Sequence, residues 1–315
     1  MLTISGTNRR DSMTNTEQEQ EQEQEVNIIP VRYFDFEFPE NLDPMWVPDN
    51  PYRAHFLNGV SLTMPYLEPF LCKTMREALL LVDDPQLLED MRGFIGQEAQ
   101  HYRCHCRLNE RLTENGHPQF AEIEKRIANS YQRLSERSLR TRLAYSAGFE
   151  CMTNGFTNWL IGERKVLFKN AQADVTSFWL AHMAEECEHK TVAFDVYENL
   201  SGAYWPRVIG VIHGSAHVLG LGCIGMLSAL RRDASADRFR RVWGVACQFS
   251  AILVKVGPFL VRALGPNYNP RQEREPEWLG QWVSFNEEVD NRGPMPVIDT
   301  SSEEMGLPLR SQQSA

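Results

Sequence analysis

A glutamate followed three residues later by a histidine occurs twice in this chain, as Glu98 and His101 in GQEAQHYRCH and as Glu186 and His189 in HMAEECEHK. On a helix, positions i and i+3 share a face, so each pair presents a carboxylate beside an imidazole. Two such helices facing each other, each with a neighbour that adds a further glutamate, can hold a pair of metal ions. A single copy arises readily on a solvated helix face. Two copies demand long helices through 98 and 186, packed in register.

The rest of the chain supplies such helices. Residues 1–27 are polar and end in an EQEQEQEQE repeat with nothing apolar to anchor it, so this tail is expected to be disordered. Residues 28–52 are rich in Pro, Asp and aromatics, which suits an extended lead-in lying over the body of the protein. A helical pattern then covers 53–82, interrupted around Pro65 and Pro69, and stops at Asp83-Asp84-Pro85. A second helix is expected over 85–114, closing at Asn115-Gly116. After a connection with its own helical pattern (FAEIEKRIANSYQRL), a third is expected over 138–168 and a fourth over 174–199. Almost nothing alternates with a period of two, so the fold class is all-α. Short turns near Asp84 and Asn170 make two antiparallel hairpins, and the long link between them permits a crossover. Hairpin, crossover, hairpin predicts a ferritin-like four-helix bundle over 53–202.

Counting from the turns places further acids at the level of the repeated motif. Opposite Glu98 and His101 the first helix offers Glu68, whereas Glu77 is about nine residues too close to the turn, roughly 13 Å away at the helical rise, and belongs to a solvated face. Opposite Glu186 and His189 the third helix offers Glu150, set in the apolar stretch LAYSAGFECMTNGF with no cation nearby. The predicted ligand set is therefore Glu68, Glu98, His101, Glu150, Glu186 and His189. Four carboxylates can bridge and neutralise two hard cations, and imidazoles suit iron, with manganese or zinc as the other metals to weigh. Without cations, four buried carboxylates would be very costly. His182 and His105 continue the two ligand faces and fall toward the same end of the bundle, roughly 8 Å from the centre. One of them can be a seventh ligand, His182 being preferred, and the other a supporting group or proton relay. Glu185 and Glu188 crowd the same helix. Glu186 is chosen as ligand because it alone repeats the i, i+3 spacing, which leaves Glu185 and Glu188 outside the inner ligand set.

A formal net charge of −10 and no dense basic run argue against nucleic acid as a partner. The seven cysteines are odd in number and scattered, and no signal peptide precedes them, so they are expected to be reduced thiols of a cytoplasmic protein. Cys104 and Cys106, which flank His105, point to different helix faces and are read as packing residues. Beyond the bundle, 208–230 carries no charged residue and is flanked by Arg207 and by Arg231 and Arg232, a length that permits a membrane span. A second apolar stretch over 242–264 contains Lys255, Pro258 and Arg262. The preferred reading of 203–266 is apolar helices packed on the bundle, with peripheral membrane contact through 208–264, a homodimer interface or a lining for an apolar substrate as further uses. Residues 267–315 are read as a Pro-rich polar surface extension.

From about Val31 to Asn199, with SLTMPYLEPF, FIGQEAQH, GFECMT and WLAHMAEECEHKTVAFDVY, the chain resembles the bacterial family named "predicted metal-dependent hydrolase". The resemblance implies that Glu68 is the first-helix glutamate. The spacing of His182, Glu186 and His189 is also similar to the three-histidine di-iron centre of arylamine N-oxygenases, which implies oxygen chemistry. On donor type alone, oxidation of an apolar or aromatic small molecule at a di-iron site is preferred. The alternatives are hydrolysis by a metal-bound hydroxide and, last, non-enzymatic metal storage or a scaffold.

Overall fold

The computed structural model of the chain describes residues 29–233, 238–287 and 292–307. Among them the regular structure is entirely helical, apart from one isolated bridge between Asp35 and Pro294. Residues 29–50 run without regular structure over the helices. They are pinned by Gln97 Nε2, which donates to Pro30 O at 2.9 Å, by Phe36 and Phe38 edge-on to Phe178, and by Trp46 stacked on Phe168. The disorder expected for the N-terminal tail concerns residues 1–27, which lie outside the described residues.

The expected first helix is two helices. Asn50 accepts from Arg53 N to start α1 (Pro51–Ser61), and α2 (Met64–Ala78) follows after a break at Leu62 and Thr63. Pro65 explains the break, because in the first turn of α2 its missing N–H costs no helical bond. Helix α3 (Pro85–Glu114) has the predicted bounds: Asp84 caps it by accepting from Leu87 N, and past Asn115 the chain turns at Gly116 with φ +111°. Then come α4 (Phe120–Ser135), α5 (Leu139–Gly162, capped by Ser138), the single turn α6 (Arg164–Leu167), and α7 (Ala173–Glu188). The expected fourth helix does not continue to 199. It breaks at His189 and resumes as α8 (Val192–Leu200). His189 is held by Gln97 and by the Phe94 ring 4.7 Å away, and these tertiary contacts override local helix propensity.

Cross-contacts fix the directions. Cys72 faces Ile95 between α2 and α3, Thr157 faces Met183 between α5 and α7, and α3 meets α7 through His105 with His182 and Gln97 with His189. Between α2 and α5, Glu77 pairs with Arg142 and Phe70 meets Tyr145. Glu68 groups with Glu98 and Glu150 with Glu186, so in each of the four pairs the numbers rise along one helix as they fall along the other, and α2, α3, α5 and α7 run antiparallel to these neighbours.

Two long apolar helices, α9 (Tyr204–Arg232) and α10 (Arg238–Ala263), cover this core from outside. Helix α9 approaches closely through glycines: a Cβ on Gly148 would collide with the backbone of Gly210, and one on Gly59 with the carbonyl of Gly222. Helix α10 rests on Gly155 through Val256 and Phe259, and on Tyr52 through Gly244. Gly148 and Gly155 are seven residues apart on α5, as are Tyr52 and Gly59 on α1, so α9 and α10 lie over the same faces of α5 and α1. By length and composition each can cross a membrane, yet 44% of the most apolar stretch of α9 is buried, against 17% for α10.

The reading of residues 267 onward as a polar surface extension needs correction. A 3-10 turn (Pro270–Gln272) leads to α11 (Glu277–Glu287), whose Trp278 and Trp282 stack at 5.4 Å and are buried. Ile298, Thr300 and Met305 are buried as well. Trp278, Leu279, Trp282 and Phe285 recur at helical spacing and form one buried face of α11, a short signal set among the Pro and charged residues on either side of it. Residues 308–315 lie outside the described residues.

Candidate metal centre

Four helices bring the predicted residues together. Glu68 comes from α2, Glu98 and His101 from α3, Glu150 from α5, His182 and Glu186 from α7, and His189 from the break after α7. All seven are buried, none more than 4% exposed. They form overlapping groups in which each residue offers one ligand atom and all these atoms lie within 4.8 Å of one another. Glu98, Glu150, Glu186 and His189 make one group, Glu68, Glu98 and His101 another, and His101, His182 and Glu186 a third.

The hydrogen bonds around the three histidines decide which nitrogen of each faces the group. Gln97 Nε2 donates to Pro30 O and Glu188 Oε2, so its Oε1 accepts from His189 Nδ1–H at 2.8 Å. That leaves His189 Nε2 a bare lone pair, 3.3 Å from Glu186, 3.4 Å from Glu98 and 3.9 Å from Glu150. His101 Nε2 lies 2.7 Å from Glu185 Oε2 and donates to it, which leaves Nδ1 buried without a partner. Asn109 is fixed by its bond to Ser61 O, so Ser61 Oγ donates to Asn109 Oδ1 at 2.6 Å and accepts from His105 Nδ1–H at 2.8 Å. His105 Nε2 then accepts from His182 Nδ1–H at 3.0 Å, and His182 Nε2 stands unprotonated 2.9 Å from Glu186 Oε1.

Three imidazole lone pairs and four carboxylates thus converge with no donor among them. Both oxygens of Glu68, Glu98 and Glu150 are buried without a hydrogen bond. Such a set is very costly unless cations or protons enter it. Burial, reinforced by the neighbouring carboxylates, pushes Glu68, Glu98 and Glu150 far above the ordinary carboxylate range. Burial and the adjacent rings keep His105 neutral and bring His182 down to about 4. The residues present therefore fit divalent cations of the kind that carboxylates and imidazoles share.

The remaining predicted residues lie around these groups. Glu185 and Glu188 turn toward Arg32: Nη1 donates to Glu185 at 3.1 Å, and the guanidinium grips Glu188 with both nitrogens at 2.7 and 2.8 Å. Burial disfavours the charge on Glu185, yet His101 and Arg32 prevail and hold it below its usual range. His105 Nε2 meets His182 Nδ1 at 3.0 Å and lies 3.7 Å from Glu68. Glu77 is half exposed and paired with Arg142, apart from the centre. Cys104 and Cys106 belong to none of the groups, and all seven cysteines are free. Arg32, Gln97, Ser61 and Asn109 were not singled out in the sequence. Gln97 adjoins Glu98 and was within reach of attention, whereas Arg32 sits in the irregular lead-in, where no periodicity marks it.

Beside the centre lies an apolar cavity of about 30 Å³ between α1, α2, α5, α7 and α9, lined by Met64, Phe149, Met152, Phe156 and Met183, with His182 and Glu186 on its wall. An all-α protein with buried, donor-free carboxylates and imidazoles beside an apolar cavity belongs to the class of metal-dependent proteins. More particularly, the chain belongs to the family described as predicted metal-dependent hydrolase, whose sequence pattern matches residues 30–274. That span includes every residue of the centre, along with α9 and α10. Neither the curated proteins nor the solved structures yield a match to the chain.

Proposed function

We propose that the centre holds two iron ions and that the protein is an oxidase or oxygenase for an apolar small molecule, with dioxygen as the oxidant. The donor imbalance carries this reading: seven buried lone-pair donors in overlapping groups have no proton source among themselves. Glu150 and His189 would hold one ion and Glu68 and His101 the other, and Glu98 and Glu186, each grouped with residues of both sets, would serve both. His182 adds a third imidazole, and its spacing from Glu186 and His189 is similar to that of arylamine N-oxygenases. When bound, the metal pair supplies Lewis acidity and, as iron, electron transfer to dioxygen. The chain's own part is to seat an apolar group against Phe149, Phe156 and Met183, to exclude water, and to keep the His182 proton on Nδ1 through His105, Ser61 and Asn109.

The family's description favours a second reading, hydrolysis, in which the same residues would bind zinc or another Lewis acid. Metal analysis followed by anaerobic ferrous loading and an oxygen pulse separates the two. Stoichiometric iron with a transient visible band supports oxidation; a zinc-loaded, oxygen-inert protein that cleaves esters refutes it. Glu98→Ala and Glu186→Ala should each lose at least one metal equivalent, and unchanged metal content in both would overturn the ligand assignment.

We infer further that the outer faces of α9 and α10 rest on an anionic membrane surface. Trp205, Ile209 and Ile212 on α9 and Phe239, Trp243 and Leu253 on α10 are 56–78% exposed, on helices that cover the same side of the protein. Arg231, Arg232, Arg238 and Arg240 gather at the shared end of these helices in a chain of net charge −10, a pattern complementary to acidic lipid headgroups. The wild-type protein should float with phosphatidylserine vesicles, and Trp243→Glu with Leu253→Glu should abolish flotation. Equal flotation of both, or a wild type that is a stable dimer without vesicle binding, refutes it.

A further inference from the structure

Outside this centre the fold assembles another set of metal-type donors from three distant segments. His55 lies in the middle of α1 and is wholly buried; His117 lies in the turn between α3 and α4 and is 3% exposed; Asp233 caps the end of α9 with 22% of its side chain exposed. The two rings are 5.3 Å apart and nearly perpendicular, and His55 Nε2 is 2.5 Å from Asp233 Oδ2. Each residue offers a ligand atom, and the three atoms lie within 4.8 Å of one another.

We propose that His55, His117 and Asp233 bind one divalent transition-metal ion, zinc by its donor set, as a structural clip separate from the carboxylate centre. A simple buried His–Asp bond does not account for His117, which brings a third ligand atom to the pair. His55 Nδ1 is buried with no partner, and so is Gln119 Oε1, although Gln119 Nε2 is 3.1 Å from His117 Nδ1. Turning the Gln119 amide over exchanges two atoms of nearly equal size and lets the orphaned Oε1 accept from His117 Nδ1–H. That exchange gives His117 Nδ1–H a carbonyl to donate to and leaves Nε2 as its bare nitrogen, as an outer carbonyl does for a metal-ligating histidine. Burial holds both rings below their usual pKa, in the neutral form that ligates. Two imidazoles and one carboxylate suit zinc and its late first-row neighbours rather than calcium or magnesium, and the exposed side of Asp233 leaves room for a water as fourth ligand.

Such an ion would tie α1, the α3–α4 turn and the end of α9 together, at the end of the helix that roofs the cavity. The test uses the full chain, stripped of metal and titrated with zinc alone. Asp233→Asn and His117→Gln should each bind one equivalent fewer than wild type, with unchanged circular dichroism. A gain of signal keeps the proposal open to refutation should those variants misfold. Asp233→Cys loaded with cobalt should show a near-ultraviolet thiolate-to-cobalt band absent from cobalt-loaded wild type. Equal zinc equivalents in wild type and variants, or an Asp233→Cys spectrum matching wild type, overturns it.

Discussion

Arg32 tests the architecture around the centre most directly, because it holds two buried acids, Glu185 and Glu188, at once. Its side chain is 5% exposed, and those of Glu185 and Glu188 are 8% and 9% exposed. Arg32→Met keeps most of the stem's volume and removes the charge. Breaking a buried ion pair from one side costs about 3–5 kcal/mol, since a desolvated charge is left behind. Two donors survive here, His101 Nε2 on Glu185 and Gln97 Nε2 on Glu188, so the lower figure, about 3 kcal/mol, is expected.

Urea unfolding in chelator measures this free of any metal contribution. A cycle with Glu188→Gln isolates the pair: the coupling should exceed about 1 kcal/mol, the range of contacting, networked residues. The same variant loosens Glu185 and with it His101, and outer-shell losses of this kind lower metal affinity about 10–100-fold. A destabilisation under about 1 kcal/mol, as for an exposed pair, together with unchanged metal affinity, would refute the reasoning.

Gln97→Leu removes the acceptor that fixes His189 and should weaken metal binding about 10–100-fold in competition with a chromophoric chelator; an unchanged affinity would show that the tautomer is set elsewhere. Gly148→Val should destabilise by at least about 1–3 kcal/mol through overpacking against Gly210, whereas Gly220→Ala, whose added methyl meets nothing within 4 Å, should stabilise by up to about 1 kcal/mol; equal urea midpoints for the two would contradict the tight α5–α9 contact. His217, bonded to Tyr145 and Ser130, is pushed down to about 4 by burial and by His213. Between its unfolded pKa near 6.5 and that value the unfolded chain binds the extra proton, so stability is full above the window and falls as pH drops through it. Allowing for its partial exposure, about 1–2 kcal/mol is at stake. His217→Gln should flatten the decline between pH 7 and 4.5 by that amount, and an identical slope would sink the assignment.

The sequence carried the helices of the core because their signals are local. Asp84 and Pro85 start α3 and Asn115 with Gly116 ends it, each through backbone chemistry confined to a few residues. The level of Glu68 and Glu150 could be counted because hairpins preserve register across a turn. Where a distant group decides, the same method failed. The break at His189 depends on Gln97, 92 residues away, and the burial of Trp278 and Trp282 depends on surfaces that the C-terminal composition does not announce.

Arg32 shows the same limit and clarifies the role of the lead-in. Glu185 and Glu188 were set aside from the ligands by spacing alone, yet spacing says nothing about what neutralises two further buried acids beside a carboxylate cluster. The irregular segment before α1 supplies that charge. It crosses the groove between α3 and α7, where Arg32 meets Glu185 and Glu188 while Gln97 binds Pro30 on one side and His189 on the other. The segment thereby joins the outer acids to two of the imidazoles, through Glu185 to His101 and through Gln97 to His189. Chain without secondary structure therefore sets which nitrogen two of the inner histidines present, a dependence invisible to any helix-by-helix reading.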